Sequence, residues 1–305
     1  MSSYQNIIVL VQPDLTLLDE NLDKILKEKK NELTIKLEKY LFSKSKRIRS
    51  VLIFLFSRAI LNSVSKDDYK IAAATELIHN ASLIHDDIID DSDIRRGEST
   101  INFEFSNDLA VVAGDFLLSL ALEELISTGN PEIIKIFATS LRQLCEGEIN
   151  QYFSKNKIIS IDNYLLKSER KTAMLFKASL LSLDALNGFQ QADKISDFAR
   201  NFGIAFQVRD DLINILELDK TKPVYNDIKN GIYTAPVLYF MEENNLSDID
   251  IEQLSISFRN SIAFEKTKAL IQKHVNLAIA SLDFINDNLY KEAIINLSKY
   301  LAEVE

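Results

Sequence analysis

Ser82-Leu83-Ile84-His85-Asp86-Asp87-Ile88-Ile89-Asp90-Asp91 sets four aspartates into six positions, directly behind an apolar run. From Ile71 to Ile89 the chain is apolar almost all round, which predicts a buried helix. On a helix, residues four apart share a face, so Asp86 pairs with Asp90 and Asp87 with Asp91. Two carboxylates about 5 Å apart repel by roughly 3 kcal/mol at an effective dielectric of about 20. A sequence that buries such a pair must supply a cation. Oxygen-only ligands suit Mg²⁺, which commonly takes one or two carboxylates together with substrate phosphates. The polar exceptions Glu76, His79, Ser82, Asp86 and Asp90 form one stripe at spacings of three and four. Such a stripe either meets matching polar groups or lines a wet cavity. A solvated acidic cap or a loop would show the same letters, and at this point that reading stays open.

Composition narrows the classes. The 305 residues suffice for one large domain or two small ones. Gly numbers 7 and Pro 4, far below average usage of about 7% and 5%, which predicts long uninterrupted helices and argues against β-hairpin architecture. A net charge of −10 argues against a nucleic-acid footprint, although metal ions can bridge an acidic protein to a polyanion. The lone Cys145 forbids an intrachain disulfide and fits a reducing cytoplasm; its apolar neighbours predict a packed thiol. Met1 to Asp14 lacks a basic segment, and its run Ile7 to Val11 is too short for a signal peptide. No stretch reaches the ~18 apolar residues that span a bilayer, so the expectation is a cytoplasmic protein without a transmembrane segment.

Along the chain, Leu15, Leu18, Leu22, Leu26, Leu33, Leu37 and Leu41 predict one amphipathic helix after Pro13, ending at Lys44-Ser45-Lys46-Arg47-Ile48-Arg49. A buried helix over 51–61, a loop over 62–68 and the aspartate helix follow. A polar connection over 93–100 carries Arg95, Arg96 and Gly97. Helices are predicted over 108–126, 131–153, 162–186 and 192–218, punctuated by Gly129-Asn130-Pro131 and Asn187-Gly188. The non-periodic 219–234 is long enough to be functional or disordered. Residues 235–305 are helical again, with a break over 242–248. No composition shift divides the chain, so the expectation is a single all-α domain, 1–305.

A second acidic pair lies more than a hundred residues on. Arg200, Gly203, Gln207, Asp210, Asp211, Asn214 and Glu217 again form a polar stripe, and Asp210-Asp211-Leu212-Ile213-Asn214 repeats the first pattern with Asn in the last place. Two such pairs are hard to explain as independent surface caps; they make sense as acidic helix ends facing one cavity. Lys46, Arg49, Arg95, Arg96, Lys171 and Lys222 are each an ordinary surface charge when read alone. Together with two metal-type sites they make a phosphate pocket.

These residues carry a resemblance. His79 to Asp91, followed by Asp93-Ile94-Arg95-Arg96-Gly97, resembles the first aspartate-rich motif of the trans-isoprenyl (polyprenyl) diphosphate synthases of long-chain type. Phe206-Gln207-Val208-Arg209-Asp210-Asp211 is similar to the second, and Lys46-Arg47-Ile48-Arg49 to the early basic motif. Lys171-Thr172, Lys222-Pro223-Val224 and Gly147-Glu148-Ile149-Asn150-Gln151 match further signatures, in order, over roughly residues 40 to 236.

The resemblance implies an all-α bundle around a central cavity, usually a homodimer, sometimes with a small accessory subunit. It implies that an allylic diphosphate ionises at about three Mg²⁺ ions, that isopentenyl diphosphate attacks the carbocation, and that proton loss completes one extension. Carried over by position, Asp86 and Asp90 bind Mg²⁺ with Asp87 in support, and Asp210 binds a third ion. Arg95, Lys171, Thr172, Gln207 and Lys222 hold the allylic diphosphate; Lys46, Arg49, His79 and Arg96 hold isopentenyl diphosphate. The chemistry agrees: fixed cations stabilise a departing diphosphate, and a carbocation needs a dry apolar wall. This chain departs from the pattern at Lys44 and Ser45, where glycines are usual, at Ser50, usually proline, at Asn214, usually Asp, and at Ile232, lysine in some members.

The prenyl chain is expected to grow toward the N-terminal end of the aspartate helix, where one turn rises about 5.4 Å, near one extended isoprene unit. Ala81 and Ser82 stand where a bulky aromatic stops growth in short-chain members, and Ala72, Ala73 and Ala74 lie further up. Phe116, Leu117 and Leu120 are candidates for the tunnel floor. The product expected is a long-chain quinone side-chain precursor. Two rivals are weighed. A terpene cyclase needs Ser/Thr and Glu where Asn214 and Leu218 stand, and has no use for Lys46 and Arg49. A non-catalytic or partner-dependent subunit of a heteromeric synthase fits the missing glycines and Asn214 but not the intact first motif.

Overall fold

Ser65 accepts the backbone N–H of Asp68 at 3.2 Å while Asp68 accepts that of Ser65 at 2.9 Å, a reciprocal cap that fixes where the aspartate helix begins. The computed structural model describes residues 3–27, 31–42, 46–95, 97–217 and 225–304. In chain order the helices are α1 (Ser3–Val9), α2 (Gln12–Lys27), α3 (Glu32–Phe42), α4 (Ile48–Leu61), α5 (Lys66–Ile89), α6 (Ile101–Glu104), α7 (Asn107–Ser127) and α8 (Pro131–Phe153). Then come α9 (Ile161–Ser168), a π turn (Glu169–Ala173), α10 (Met174–Asn187), α11 (Ala192–Ile215), α12 (Asn226–Lys229), α13 (Ala235–Asn244), α14 (Ile251–Ser257), α15 (Ile262–Ala280) and α16 (Leu289–Tyr300). The all-α expectation holds. Strand β1 (Ile94–Arg95) pairs antiparallel with β2 (Glu98–Ser99), Ile94 opposite Ser99 and Arg95 opposite Glu98.

The chain divides into two compact units, each drawn from three segments. The first comprises Met1–Phe137, Ser179–Gln190 and Ile285–Ile294; the second comprises Ala138–Ala178, Gln191–Phe284 and Ile295–Glu305. In the first unit α5 packs chiefly on α7. The α7 side of that contact is a stripe of mostly small residues, Ala110, Ala113, Gly114, Leu117 and Ala121, all buried. Small side chains at helical spacing let two backbones approach closely. In the second unit α11 packs chiefly on α15 and on the π turn. Its aromatic core stacks Phe198 on Phe202, with Phe176 edge-on to Phe202 at 5.3 Å between centroids.

Four expectations change. The leucine repeat after Pro13 belongs to two helices, α2 and α3, rather than one; Leu15, Leu18, Leu22, Leu26, Leu37 and Leu41 are nonetheless buried. The polar connection over 93–100 contains a short hairpin, turned at Gly97 with φ of +84°, a region that glycine enters without steric cost. The helix over 162–186 is interrupted by the π turn. Cys145 is exposed, not packed: α8 turns it outward while Gly147, two positions on, faces inward. Among the described residues, no helix is long and apolar enough to cross a membrane.

Candidate active site

In the first unit the acidic motif occupies the last turn of α5 and its cap. Asp90 is the C-cap, its N–H bonding the carbonyl of Asp86 at 2.8 Å. Asp91 is left-handed at φ 50°, and the Ser92 N–H reaches back to the carbonyl of Asp87 at 2.9 Å. This placement weighs against an ordinary acidic cap. Carboxylates stabilise the N-terminal end of a helix, and at the C-terminal end each costs about 0.3–1 kcal/mol. Asp86, Asp90 and Asp91 there oppose stability unless positive charge lies near them.

The carboxylates of the pair are treated differently. Asp87 is 1% exposed. It accepts the Tyr40 hydroxyl at 2.6 Å and the Arg95 Nε–H at 2.6 Å, the latter folded back onto it by the hairpin. Burial pushes the Asp87 carboxyl up, and Arg95 and the Tyr40 hydroxyl work against that. Asp86 and Asp90 stay half-exposed, one turn apart. Among the described residues no three acidic, histidine or cysteine side chains converge as a metal cage. A carboxylate pair of this kind suits a hard divalent ion whose remaining ligands come from water and substrate phosphate.

The basic segment is built on an inward arginine. Arg47, the N-cap of α4, is left-handed (φ 47°, ψ 35°). Its guanidinium lies 2.8 Å from Asp19 and 3.6 Å from Glu76. Glu76 also accepts the Ser50 hydroxyl at 2.6 Å, so the residue standing in for proline has a partner of its own. Of the polar stripe on α5, Glu76 thus meets matching polar groups. Lys46, next to the inward arginine, is exposed; Arg49 and His79 are half-buried. The Tyr4 hydroxyl donates to the Lys46 carbonyl. Ala81 is fully buried, and half-buried Ser82 donates to the His79 carbonyl at 2.8 Å.

In the second unit Asp211 is 5% exposed. It accepts the Tyr164 hydroxyl at 2.6 Å and the Gln207 amide at 2.8 Å. Thr172, buried in the π turn, donates to the Gln207 carbonyl oxygen at 2.5 Å. Lys171 lies 2.8 Å from Glu148 of α8, and Asp210 is half-exposed. The π turn is approached by two glycines. A methyl group on Gly203 would sit 2.5 Å from the Cα and Cβ of Ala173, and one on Gly147 would sit 3.1 Å from the Cβ of Arg170. π turns inside α-helices are frequently found at functional sites. Asn214 accepts the Tyr225 backbone N–H at 3.4 Å, so the amide at the position where Asp is usual faces the returning chain.

Of the expected site residues, the structure therefore gathers Asp86, Asp87, Asp90 and Arg95 at one helix end. It gathers Lys171, Thr172, Gln207, Asp210 and Asp211 at another. Arg96 and Lys222 lie outside the described residues, as do Lys44 and Ser45.

Asp211 gives a pH prediction. Burial, with Asp227 adding to it, pushes its carboxyl up to about 7, against the pull of the Tyr164 hydroxyl. The folded chain then holds a proton that the unfolded chain has already lost. Stability is therefore full below about pH 4 and is lost as pH rises to about 7, by on the order of 4 kcal/mol without metal. Asp211→Asn should flatten this loss in thermal melts of the metal-free chain between pH 4.5 and 8. Buried His274, its pKa lowered to about 4, has the opposite sign between about pH 4 and 6.5 but is common to both chains and cancels. Parallel melting curves for the two chains would contradict the reading.

The family model described as polyprenyl synthetase matches residues 31–283. The chain is 32% identical to a prenyl transferase of Cyanophora paradoxa, covering 99% of each chain. It is 31% identical to solanesyl diphosphate synthase 2, chloroplastic, of Arabidopsis thaliana, covering 96% of this chain and 75% of that one. The crystal structure of heptaprenyl diphosphate synthase from Staphylococcus aureus superposes with a TM-score of 0.88 at 28% identity, covering 96% of this chain and 98% of that one.

Proposed function

Because the chain belongs to the polyprenyl synthetase family, we propose that it is a Mg²⁺-dependent prenyltransferase. It condenses an allylic diphosphate with isopentenyl diphosphate units to a long-chain polyprenyl diphosphate, a precursor of quinone side chains. One observation carries the reading. At the C-terminal ends of both α5 and α11, an Asp–Asp pair has its second carboxylate used by protein donors and its first left half-exposed.

In this reading Asp86, Asp90 and Asp210 hold Mg²⁺, which when bound neutralises the charge that builds on the departing diphosphate. Arg95, Lys171, Thr172, Gln207 and Lys222 orient the allylic diphosphate. Lys46, Arg49, His79 and Arg96 hold isopentenyl diphosphate with its double bond toward the cationic carbon. The π turn presents Thr172 to Gln207, and Gln207 in turn bonds Asp211, so one chain of hydrogen bonds ties a diphosphate ligand to the acidic pair. Proton loss from the adduct to the leaving diphosphate closes each cycle.

Long product is supported by Ala81 and Ser82, and by the names of the solanesyl and heptaprenyl relatives. A single working domain is supported by α8, α10 and α16, each of which carries residues of both units. A homodimer is supported by exposed Val111, Val112, Leu122 and Ile126 on α7. The compartment proposed is the cytoplasm, with product drawing the protein to a membrane.

The test is the purified chain alone with farnesyl and isopentenyl diphosphates and Mg²⁺, its products sized by chromatography and its mass by light scattering. Polyprenyl products well beyond the primer are expected from a dimer. No turnover without an added partner would favour the subunit of a heteromeric synthase. Ala81→Phe should shorten the products by several isoprene units; unchanged lengths would remove Ala81 from the tunnel wall.

A further inference from the structure

Tyr40 and Tyr164 stand in matching places. The hydroxyl of each donates to the second aspartate of an Asp–Asp pair, Tyr40 to Asp87 and Tyr164 to Asp211, both at 2.6 Å and both across 47 residues of chain. In each case a 14-residue helix, α4 or α10, precedes the 24-residue helix, α5 or α11, that carries the pair near its C-terminal end. Both tyrosines and both aspartates are buried. In each case the other carboxylate oxygen is taken too, by Arg95 at 2.6 Å in the first unit and by Gln207 at 2.8 Å in the second. The second donor differs in charge, in chemistry and in its place in the chain. The tyrosine alone is common to both.

The shared geometry has a mechanical meaning. Successive residues on a helix point about 100° apart. A hydroxyl that pins the second carboxylate on the buried side therefore fixes the rotation of the helix end, and with it the direction of the first carboxylate. It also keeps the second carboxylate from competing for the ion. We propose that Tyr40 and Tyr164 are matched positioning residues for divalent-cation binding, each holding one acidic pair in a ligating and a non-ligating half. The proposal rests on the reading of Asp86, Asp90 and Asp210 as metal ligands. Partners of this outer-shell kind commonly change metal affinity by about 10- to 100-fold when removed.

Tyr40→Phe and Tyr164→Phe delete one oxygen each. The readouts are Mn²⁺ binding in the presence of inorganic pyrophosphate, followed by electron paramagnetic resonance, and the melting temperature of the metal-free chain. Tyr69→Phe serves as control, because Tyr69 makes a similar bond to buried Asp14 at 2.9 Å, away from either acidic pair. All three variants should melt earlier. Only Tyr40→Phe and Tyr164→Phe should bind Mn²⁺ more weakly, by about tenfold or more. If Mn²⁺ titrations of all three match the parent chain, the tyrosines merely satisfy buried carboxylates and the proposal falls. Should Tyr164→Phe fail to fold, its combination with Asp211→Asn removes the buried carboxylate; Asp87 keeps Arg95 when the Tyr40 hydroxyl is lost, so Tyr40→Phe needs no second substitution. The folded double variant should still bind Mn²⁺ weakly, and parent-like binding would overturn the proposal. A parent chain that binds no Mn²⁺ with pyrophosphate would instead sink the metal-site reading itself.

Discussion

Asp86→Ala should lower kcat by roughly a thousandfold while leaving the melting temperature within a few degrees. Removing a single preorganised group that stabilises developing charge commonly costs 10²- to 10³-fold. Asp86 is assigned both to a metal and, through it, to the leaving diphosphate. Its side chain is half-exposed at a helix C-terminus, where a carboxylate is unfavourable, so the metal-free fold loses little and can gain. Asp87→Ala should behave in the opposite sense. It takes the carboxylate from the half-buried Arg95 guanidinium and the buried Tyr40 hydroxyl, and leaving such groups unsatisfied costs about 1–3 kcal/mol. Steady-state kinetics at saturating substrates and Mg²⁺, alongside thermal melts, separate the two. Activity of Asp86→Ala within tenfold of the parent would remove it from the metal site.

Gly203→Ala should destabilise the chain and disable it together. Helix propensity favours alanine by about 1 kcal/mol at an interior position. Against that stands the backbone of the π turn, with the Cα and Cβ of Ala173 at 2.5 Å from the added methyl. Backbone cannot swing aside, and overpacking of this kind costs about 1–3 kcal/mol or more, so the clash outweighs the propensity. Relief requires the π turn to shift, which breaks the Thr172–Gln207 bond and moves Lys171. A fall in melting temperature of about 1–3 °C is expected, with a raised KM for the allylic diphosphate. Gly114 is the internal comparison. There the obstacle is the imidazole of His85, the far end of a flexible side chain, so Gly114→Ala should be tolerated far better. Equal losses at the two glycines would show that the π turn is not the constraint.

Most of the architecture is legible in the letters because it rests on periodicity. Apolar spacing and the breaks at Gly129-Asn130-Pro131 and Asn187-Gly188 placed α8 at its observed bounds and α7 and α11 within a few residues. The acidic ends were legible because the pattern recurs: one run of aspartates has a cheap reading as a solvated cap, but two Asp–Asp pairs more than a hundred residues apart do not. What failed to show is what depends on contact across the chain. The hairpin is two residues per strand, too short for alternation to register, yet it delivers Arg95 to Asp87. The π turn leaves no mark in Glu169 to Ala173 themselves; its correlate is a pair of distant glycines whose helical environment conceals their purpose. Glu76 reads as part of an open polar stripe because nothing in the sequence announces that Arg47 turns inward to meet it. Cys145 reads as packed because neighbouring apolar residues do not report the phase of the helix.

The make-up of the first unit bears on how the protein is made. Its N-terminal helices are fastened by residues from near the other end: Asn288 donates to the Ala59 carbonyl at 2.9 Å across 229 positions, and Arg58 lies over the Tyr290 ring. On a ribosome adding about 5–20 residues per second, the nascent first unit must wait on the order of ten seconds or more for that fastener to be synthesised. During this interval the end of α4 around Arg58 and Ala59 lacks its late partners, so the nascent first unit should be nicked by protease there more readily than the finished fold.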